Sequence, residues 1–341
     1  MVSPSIHEGI FKMKKELMLV TGANGYVGKA VVDLLVANEI PVRAMVRDAA
    51  KGKELEQPGV ELVLADLIDK ESLRRAVSGV HGIFHIGAIF RQAGLPESIF
   101  HDVNAEGTRT LFDVAIDAGV KRIVHCSTGG VLGHVKNPPG SDTSPYNPGD
   151  MYQRSKLEGE KIAMSYFQSG KMRGVVIRPA MIYGPGDTRN LKLFKMIARK
   201  KFFYVGKGEQ CVHFVDVRDL AKAFYLAMEK EDINAQIYHI PGERAVPLKD
   251  MVNFVADYLS VSRPWVHLPV KPIQLVGTLC ELVCTPFHIQ PPIYRRRVDF
   301  FTKNRHFDGT KAARELGYRP AKPFEDEVKE VTDWYRSHSW L

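Results

Sequence analysis

Short apolar runs alternate with stretches of helical periodicity along the first half of the chain. The run 17–20 (Leu-Met-Leu-Val) predicts a buried strand, and 29–36 repeats its apolar positions at helical spacing. Further strands are predicted at 41–46, 60–65, 82–86, 121–126 and 174–178, with helices at 105–118 and 152–168 among the intervening stretches. Strands alternating with helices of this length predict an α/β fold with a doubly wound parallel sheet. Ligands of such sheets lie along the carboxyl ends of the strands.

Beyond residue 184 the alternation becomes irregular, which predicts a smaller C-terminal substrate-binding region. The expected division is 14–183 for a dinucleotide-binding unit, with 208–240 returning to it, and 184–341 mainly for the substrate. A proline-rich loop, 133–150, lies between two chemically interesting segments and is expected to wall the substrate site. The stretch 270–282 reads as an apolar helix leading into the segment 286–294 and then Arg295, Arg296 and Arg297, an arrangement suited to covering a hydrophobic substrate or resting on anionic lipid. A core helix followed by a solvated basic turn is the plainer reading of the same residues.

The first predicted strand runs into Thr21-Gly22-Ala23-Asn24-Gly25-Tyr26-Val27-Gly28. A glycine-rich turn between strand and helix brings backbone N–H groups and a helix N-terminus against a phosphate. Gly22 is expected to make the tight turn, Gly25 to admit a pyrophosphate, and Gly28 to let helix and strand pack closely. Tyr152 and Lys156 stand i, i+4, on one face of a predicted helix. A free tyrosine titrates near pH 10 and is a poor base at neutral pH, roughly three units too high. A neighbouring ammonium, with an oxidised nicotinamide ring, favours the phenolate, so Tyr152 is expected to exchange a proton with a substrate oxygen. Ser127 and Thr128 close the fifth predicted strand, where a hydroxyl can orient that oxygen.

These residues resemble those of the extended short-chain dehydrogenase/reductases. The resemblance runs from about residue 15 to 320 and includes the glycine turn, Asp66-Leu67, His85-Ile86-Gly87-Ala88, Val103-Asn104-Ala105-Glu106-Gly107-Thr108, Tyr152 with Lys156, and Arg178-Pro179-Ala180-Met181-Ile182-Tyr183-Gly184. It implies a Rossmann fold and a catalytic Thr128, Tyr152 and Lys156. It also implies that Asp66 and Leu67 contact adenine, Ala88 lines the cofactor, Asn104 supports the site backbone, and Pro179 and Ile182 flank the nicotinamide. A homodimer built on the helices of Asn104 and Tyr152 is implied as well.

The 341 residues carry a net charge of +8, which suits anionic ligands. No basic tail or aromatic RNA-binding pattern accompanies that charge, so nucleic acid is not an expected partner. Cys126, Cys211, Cys280 and Cys284 have no metal spacing and read as reduced thiols of a cytoplasmic protein. The polar residues 1–15 lack the apolar stretch of a signal peptide.

Arg47 ends the second predicted strand, with Lys51 and Lys53 beyond it, so NADP is the expected cofactor; Asp48, one residue on, keeps NAD open. The expected activity is hydride exchange between the nicotinamide and a hydrophobic secondary alcohol or ketone, as in dihydroflavonol reductases and 3β-hydroxysteroid dehydrogenases. A nucleotide-sugar epimerase with tightly held NAD is the alternative, weakened by Val212 where such enzymes carry an arginine. Gly129 and Gly130 after Thr128 argue against a dehydratase, which carries an acidic pair there. A non-catalytic NADP-binding sensor is the remaining alternative, and the presence of both Tyr152 and Lys156 disfavours it.

Overall fold

The computed structural model describes residues 15–91, 95–284 and 295–341. Seven parallel strands form its central sheet: β1 (Met18–Thr21), β2 (Val42–Val46), β3 (Val60–Leu64), β4 (Gly82–His85), β5 (Arg122–Cys126), β6 (Gly174–Pro179) and β7 (Gln236–Ile240). Their order is β7-β6-β5-β4-β1-β2-β3. The direction of winding therefore reverses between β1 and β4, and the crevice beyond their carboxyl ends is where such a sheet binds its ligand. Six of the strands lie within a residue or so of their predicted places. The seventh follows the irregular stretch and was not separately legible.

Helices cover both faces, which is why the strands read as continuous apolar runs. On one face α1 (Tyr26–Ala37) and α6 (Val217–Glu229) bury Val31, Leu35, Leu220 and Phe224 against Val20, Ala44 and Val124. On the other, α2 (Lys70–Val77), α3 (Gly107–Asp117) and α4 (Met151–Gln168) bury Leu73, Phe112 and Phe167 against Leu19, Ile83 and Ile123. Leu19 and Val20 thus face opposite layers, as the two-residue period of a strand requires. The helix predicted over 105–118 is found as α3, preceded by a π-turn over Asp102–Glu106 that takes in its first two predicted residues.

A separate apolar cluster joins α5 (Leu191–Ala198), α7 (Leu248–Tyr258) and α10 (Phe324–Ser337) through Phe194, Val252, Val328 and Tyr335. Between α7 and α10 lie α8 (Val270–Cys284) and α9 (Arg295–Thr302). The predicted segment 286–294 and the side chains of Arg295, Arg296 and Arg297 fall outside the described residues, as do residues 1–14.

The loop over 133–150 does not form the expected wall of the main cleft. Its Val135, with Leu132 just before the loop, packs with Phe307, and Gly140 bridges to the Phe307 backbone. Phe307 itself reaches the cleft, so the wall is built by the late segment that the loop holds in place.

Candidate active site

The turn after β1 is shaped by close backbone approaches. Gly22 has φ of +66°, a conformation disfavoured for side chains, and a Cβ there would lie 2.7 Å from Gly87 Cα. Gly25 donates its N–H to the Gly22 carbonyl at 2.9 Å and leads into α1. At Gly28 a Cβ would lie 2.1 Å from the Gly22 carbonyl oxygen, so this glycine admits the turn itself as much as helix-to-strand packing. Tyr26 donates its hydroxyl to the Pro185 carbonyl at 3.1 Å, tying the turn to the loop after β6.

A cleft of about 960 Å³ runs along the carboxyl ends of the strands. Gly22, Asn24, Gly25, Tyr26, Val27 and Gly28 line it near β1. Arg47, Asp66 and Leu67 line it beyond β2 and β3. Ala88, Ser127, Thr128, Tyr152, Pro179 and Ile182 line the remainder. Asn104 and Lys156 stand behind it. Asn104 accepts from Ile89 N at 2.8 Å and donates to Ile89 O and Ser155 Oγ, each at 3.0 Å. One amide thereby ties the backbone after β4 to α4.

The α4 N-terminus is held by Asp150, whose carboxylate accepts from Gln153 N at 2.8 Å. This cap sets the turn that carries Tyr152. The two hydroxyls ending β5 differ in their surroundings. Ser127 Oγ donates to Glu160 at 2.5 Å, and Glu160 is paired in turn with fully buried Arg178. Thr128 Oγ1 accepts from Gly130 N at 3.1 Å, which leaves its own proton for a ligand.

Electrostatics around Tyr152 differ from the expectation. Burial pushes its hydroxyl pKa up, and the first influence in the opposite direction is the Arg91 guanidinium, not Lys156. Arg91 lies over the Tyr152 ring at 5.1 Å and donates to Asp150 at 2.8 Å. Phe90 meets the same ring edge-on at 5.0 Å. Lys156 donates Nζ to the Cys126 carbonyl at 2.6 Å, and burial lowers its pKa. Sequence reasoning missed Phe90 and Arg91, although they follow Ala88 closely. It also missed Phe300, Arg305 and Phe307 on the far wall, which carry no motif.

This chain matches the family model for the NAD dependent epimerase/dehydratase family over residues 18–240. It belongs to that family. It is accordingly an NAD(P)-dependent oxidoreductase of the extended short-chain dehydrogenase/reductase type. The sterol demethylase protein B of Methylococcus capsulatus is 29% identical, covering 95% of this chain and 99% of the relative. A 3β-hydroxysteroid-dehydrogenase/decarboxylase, isoform 2, of Arabidopsis thaliana is 28% identical over 92% of this chain, which spans 61% of the relative's length. Among solved structures, DesIV (dTDP-glucose 4,6-dehydratase) of Streptomyces venezuelae, with NAD and TYD bound, is 25% identical with a TM-score of 0.76, covering 95% of this chain and 98% of the other. MoeE5 in complex with UDP-glucose and NAD has a TM-score of 0.75 at 20% identity, covering 94% and 99%.

The NADP preference is corrected by the DesIV structure, which holds NAD. A local reason is visible at the end of β2. Arg47 is exposed, and Asp48 beside it also lines the cleft. Asp48 caps the turn that follows by accepting from Ala50 N at 2.9 Å. A carboxylate adjoining the guanidinium repels a 2′-phosphate, so the arginine alone does not select one. The family description and the NAD-bound dTDP-glucose dehydratase also weigh toward the epimerase alternative more than the sequence did.

Proposed function

We propose that this chain oxidises a secondary alcohol carbon, or reduces the corresponding ketone, with NAD as its cofactor. The observation that carries the reading is the sharing of one cleft by the glycine turn at β1 and the Tyr152 and Thr128 hydroxyls at β5 and α4. The turn fits a dinucleotide: Gly28 has no room for a Cβ, and α1 begins at the cleft with its N–H groups free of a side-chain cap. NAD, when bound, supplies a two-electron acceptor for hydride from the alcohol carbon.

In this reading Gly22, Asn24, Gly25, Tyr26, Val27 and Gly28 cradle the pyrophosphate side. Arg47, Asp66 and Leu67 serve the adenosine end. Ala88, Ser127, Pro179 and Ile182 line the path to the reacting end. Thr128 donates to the substrate oxygen and orients it. Tyr152 takes the alcohol proton in oxidation and returns it in reduction. Arg91 favours the phenolate this requires, and Lys156 fixes the nicotinamide side by holding the end of β5. The division at residue 183, with 208–240 returning to the sheet, and a homodimer through α3 and α4 belong to the same proposal.

Two substrate readings follow. Nucleotide-sugar epimerisation, with hydride returned to the same substrate, is supported by the NAD- and nucleotide-bound relative and by Arg189 and Arg305 in the cleft, cations suited to a diphosphate. A hydrophobic alcohol is supported by the sterol- and hydroxysteroid-named relatives and by Phe90, Met181, Phe300 and Phe307 in the same cleft. The nucleotide content of the purified protein separates them. Tightly retained NAD, with interconversion of UDP-sugars and no net NADH, supports epimerisation. Exchangeable NAD, with NADH formed from sterol-like alcohols, supports the hydrophobic reading. Failure to bind NAD, together with no turnover on either panel, overturns the proposal.

A further inference from the structure

Among the described residues, exposed large apolar side chains concentrate on α8 and just before it. Along α8, Leu275, Val276, Leu279, Leu282 and Val283 are all exposed, between 41% and 66%. Their spacing places them on one stripe of the helix. Trp265 is 83% exposed just before α8, with Val266 and Phe203 also exposed beside it. Backbone pairing brings Phe203 beside Trp265 and Val266: Tyr204 donates N–H to Val266 O at 2.9 Å, and Gly206 to Leu268 O at 2.8 Å. Contiguous apolar exposure of this kind marks a surface that binds something.

Charge identifies the occupant. The stretch 189–207, which leads into this pairing, contains seven lysines and arginines and no acidic residue. Lys192, Arg199, Lys200, Lys201 and Lys207 are exposed, and none is in an ion pair among the described residues. A second copy of the chain docked through the same patch would bring these uncompensated cations together. An anionic lipid surface neutralises them and accepts the apolar stripe. The 15 residues of α8 span about 22 Å, too short for the roughly 30 Å hydrocarbon core, and no helix of the described residues is long and apolar enough to cross a membrane. An exposed tryptophan beside an amphipathic helix suits the headgroup level.

We propose that α8, Trp265 and the basic stretch 192–207 form a docking face for an anionic lipid bilayer, with α8 lying in the plane of its surface. The face communicates with the cleft. Phe202 packs on Phe301 at 6.0 Å, Phe301 meets Phe300 edge-on at 5.2 Å, and Phe300 lines the cleft. The proposal is independent of which substrate the site accepts.

Sedimentation with vesicles of phosphatidylcholine alone, or of phosphatidylcholine and phosphatidylserine in equal parts, tests it. The full chain is expected to bind the mixed vesicles and to release them as salt rises, with a blue shift of tryptophan emission on binding that Trp265→Phe abolishes. The double variant Leu279→Glu, Leu282→Glu is expected to lose at least about tenfold in vesicle affinity. Lys200→Glu with Lys201→Glu is expected to lose the preference for phosphatidylserine. Circular dichroism melting confirms that each variant folds. Wild-type protein that binds neither vesicle, or variants that bind as well as wild type, overturns the proposal. Conversion of an oligomer to a monomer by the α8 variant, without vesicle binding by the wild type, also overturns it and assigns the face to a second copy.

Discussion

Arg91 holds its guanidinium 5.1 Å from the Tyr152 ring centroid while donating to Asp150, the residue that caps the tyrosine's helix. One cation is thereby fixed against both the proposed acid/base and the backbone that aims it. Burial raises the Tyr152 pKa and Arg91 opposes that rise. Removing the charge raises the pKa further, so the phenolate form is reached only at higher pH. Arg91→Gln is expected to move the ascending, acidic limb of the kcat profile for alcohol oxidation upward by up to about one pH unit, with neutral-pH turnover falling up to about tenfold. A profile that keeps its position while kcat falls would assign Arg91 a purely structural role.

Tyr152→Phe removes the exchangeable proton and keeps the ring that Phe90 and Arg91 pack against. Turnover is expected to fall by at least about a hundredfold, the scale of lost general acid–base catalysis, with NAD affinity nearly unchanged. Steady-state rates and a fluorescence titration with NADH separate the two effects. Turnover near that of the wild type would remove Tyr152 from the mechanism.

The pair Glu160–Arg178 is buried to within 1% and carries Ser127 and Tyr146 on the same carboxylate. Glu160→Ala strands a buried guanidinium, which costs about 3–5 kcal/mol. Urea denaturation is expected to show that loss. The same variant frees Ser127 Oγ at the cleft. An unchanged urea midpoint would mean that water reaches Arg178.

Glu327 is held 2% exposed, accepting from Tyr183 at 2.6 Å with its other oxygen unpartnered. Burial raises its pKa from 4.5 to about 8. The folded state therefore binds the proton more tightly than the unfolded chain. The stabilisation is fully present below about pH 4.5 and is lost progressively as pH rises toward 8. Glu327→Gln keeps a neutral side chain at every pH. It is expected to gain stability relative to wild type between pH 5 and pH 9, by on the order of 1–3 kcal/mol. Parallel thermal melts of the two proteins across that range are the check, and a constant difference would contradict the shift.

The sheet was legible because strands covered on both faces are apolar without interruption, and the glycine turn because its three glycines are close in sequence. Tyr152 was legible through a local i, i+4 spacing. Lys156 was placed on the right helix, but its ammonium turns to a carbonyl 30 residues away in sequence, a choice that local spacing does not encode. Arg91 had no motif to mark it. Phe300, Arg305 and Phe307 join the cleft only through tertiary packing, with Phe307 set by its bridge to Gly140. Cofactor choice misled because Arg47 and Asp48 are neighbours with opposite charges, and position alone does not say which one governs the ribose.

The match to the family ends at residue 240, yet the cleft's far wall is made at 300–307. The proposed proton-transfer residues all lie inside the family match, whereas part of the wall that faces them, Phe300, Arg305 and Phe307, lies beyond it. In the proposed reading that part of the wall can change while Thr128, Tyr152 and Lys156 stay in place, and a chimaera carrying another relative's 300–307 segment tests whether substrate preference moves with it. The bridge between Gly140 and Phe307 marks the joint at which such a graft must be matched.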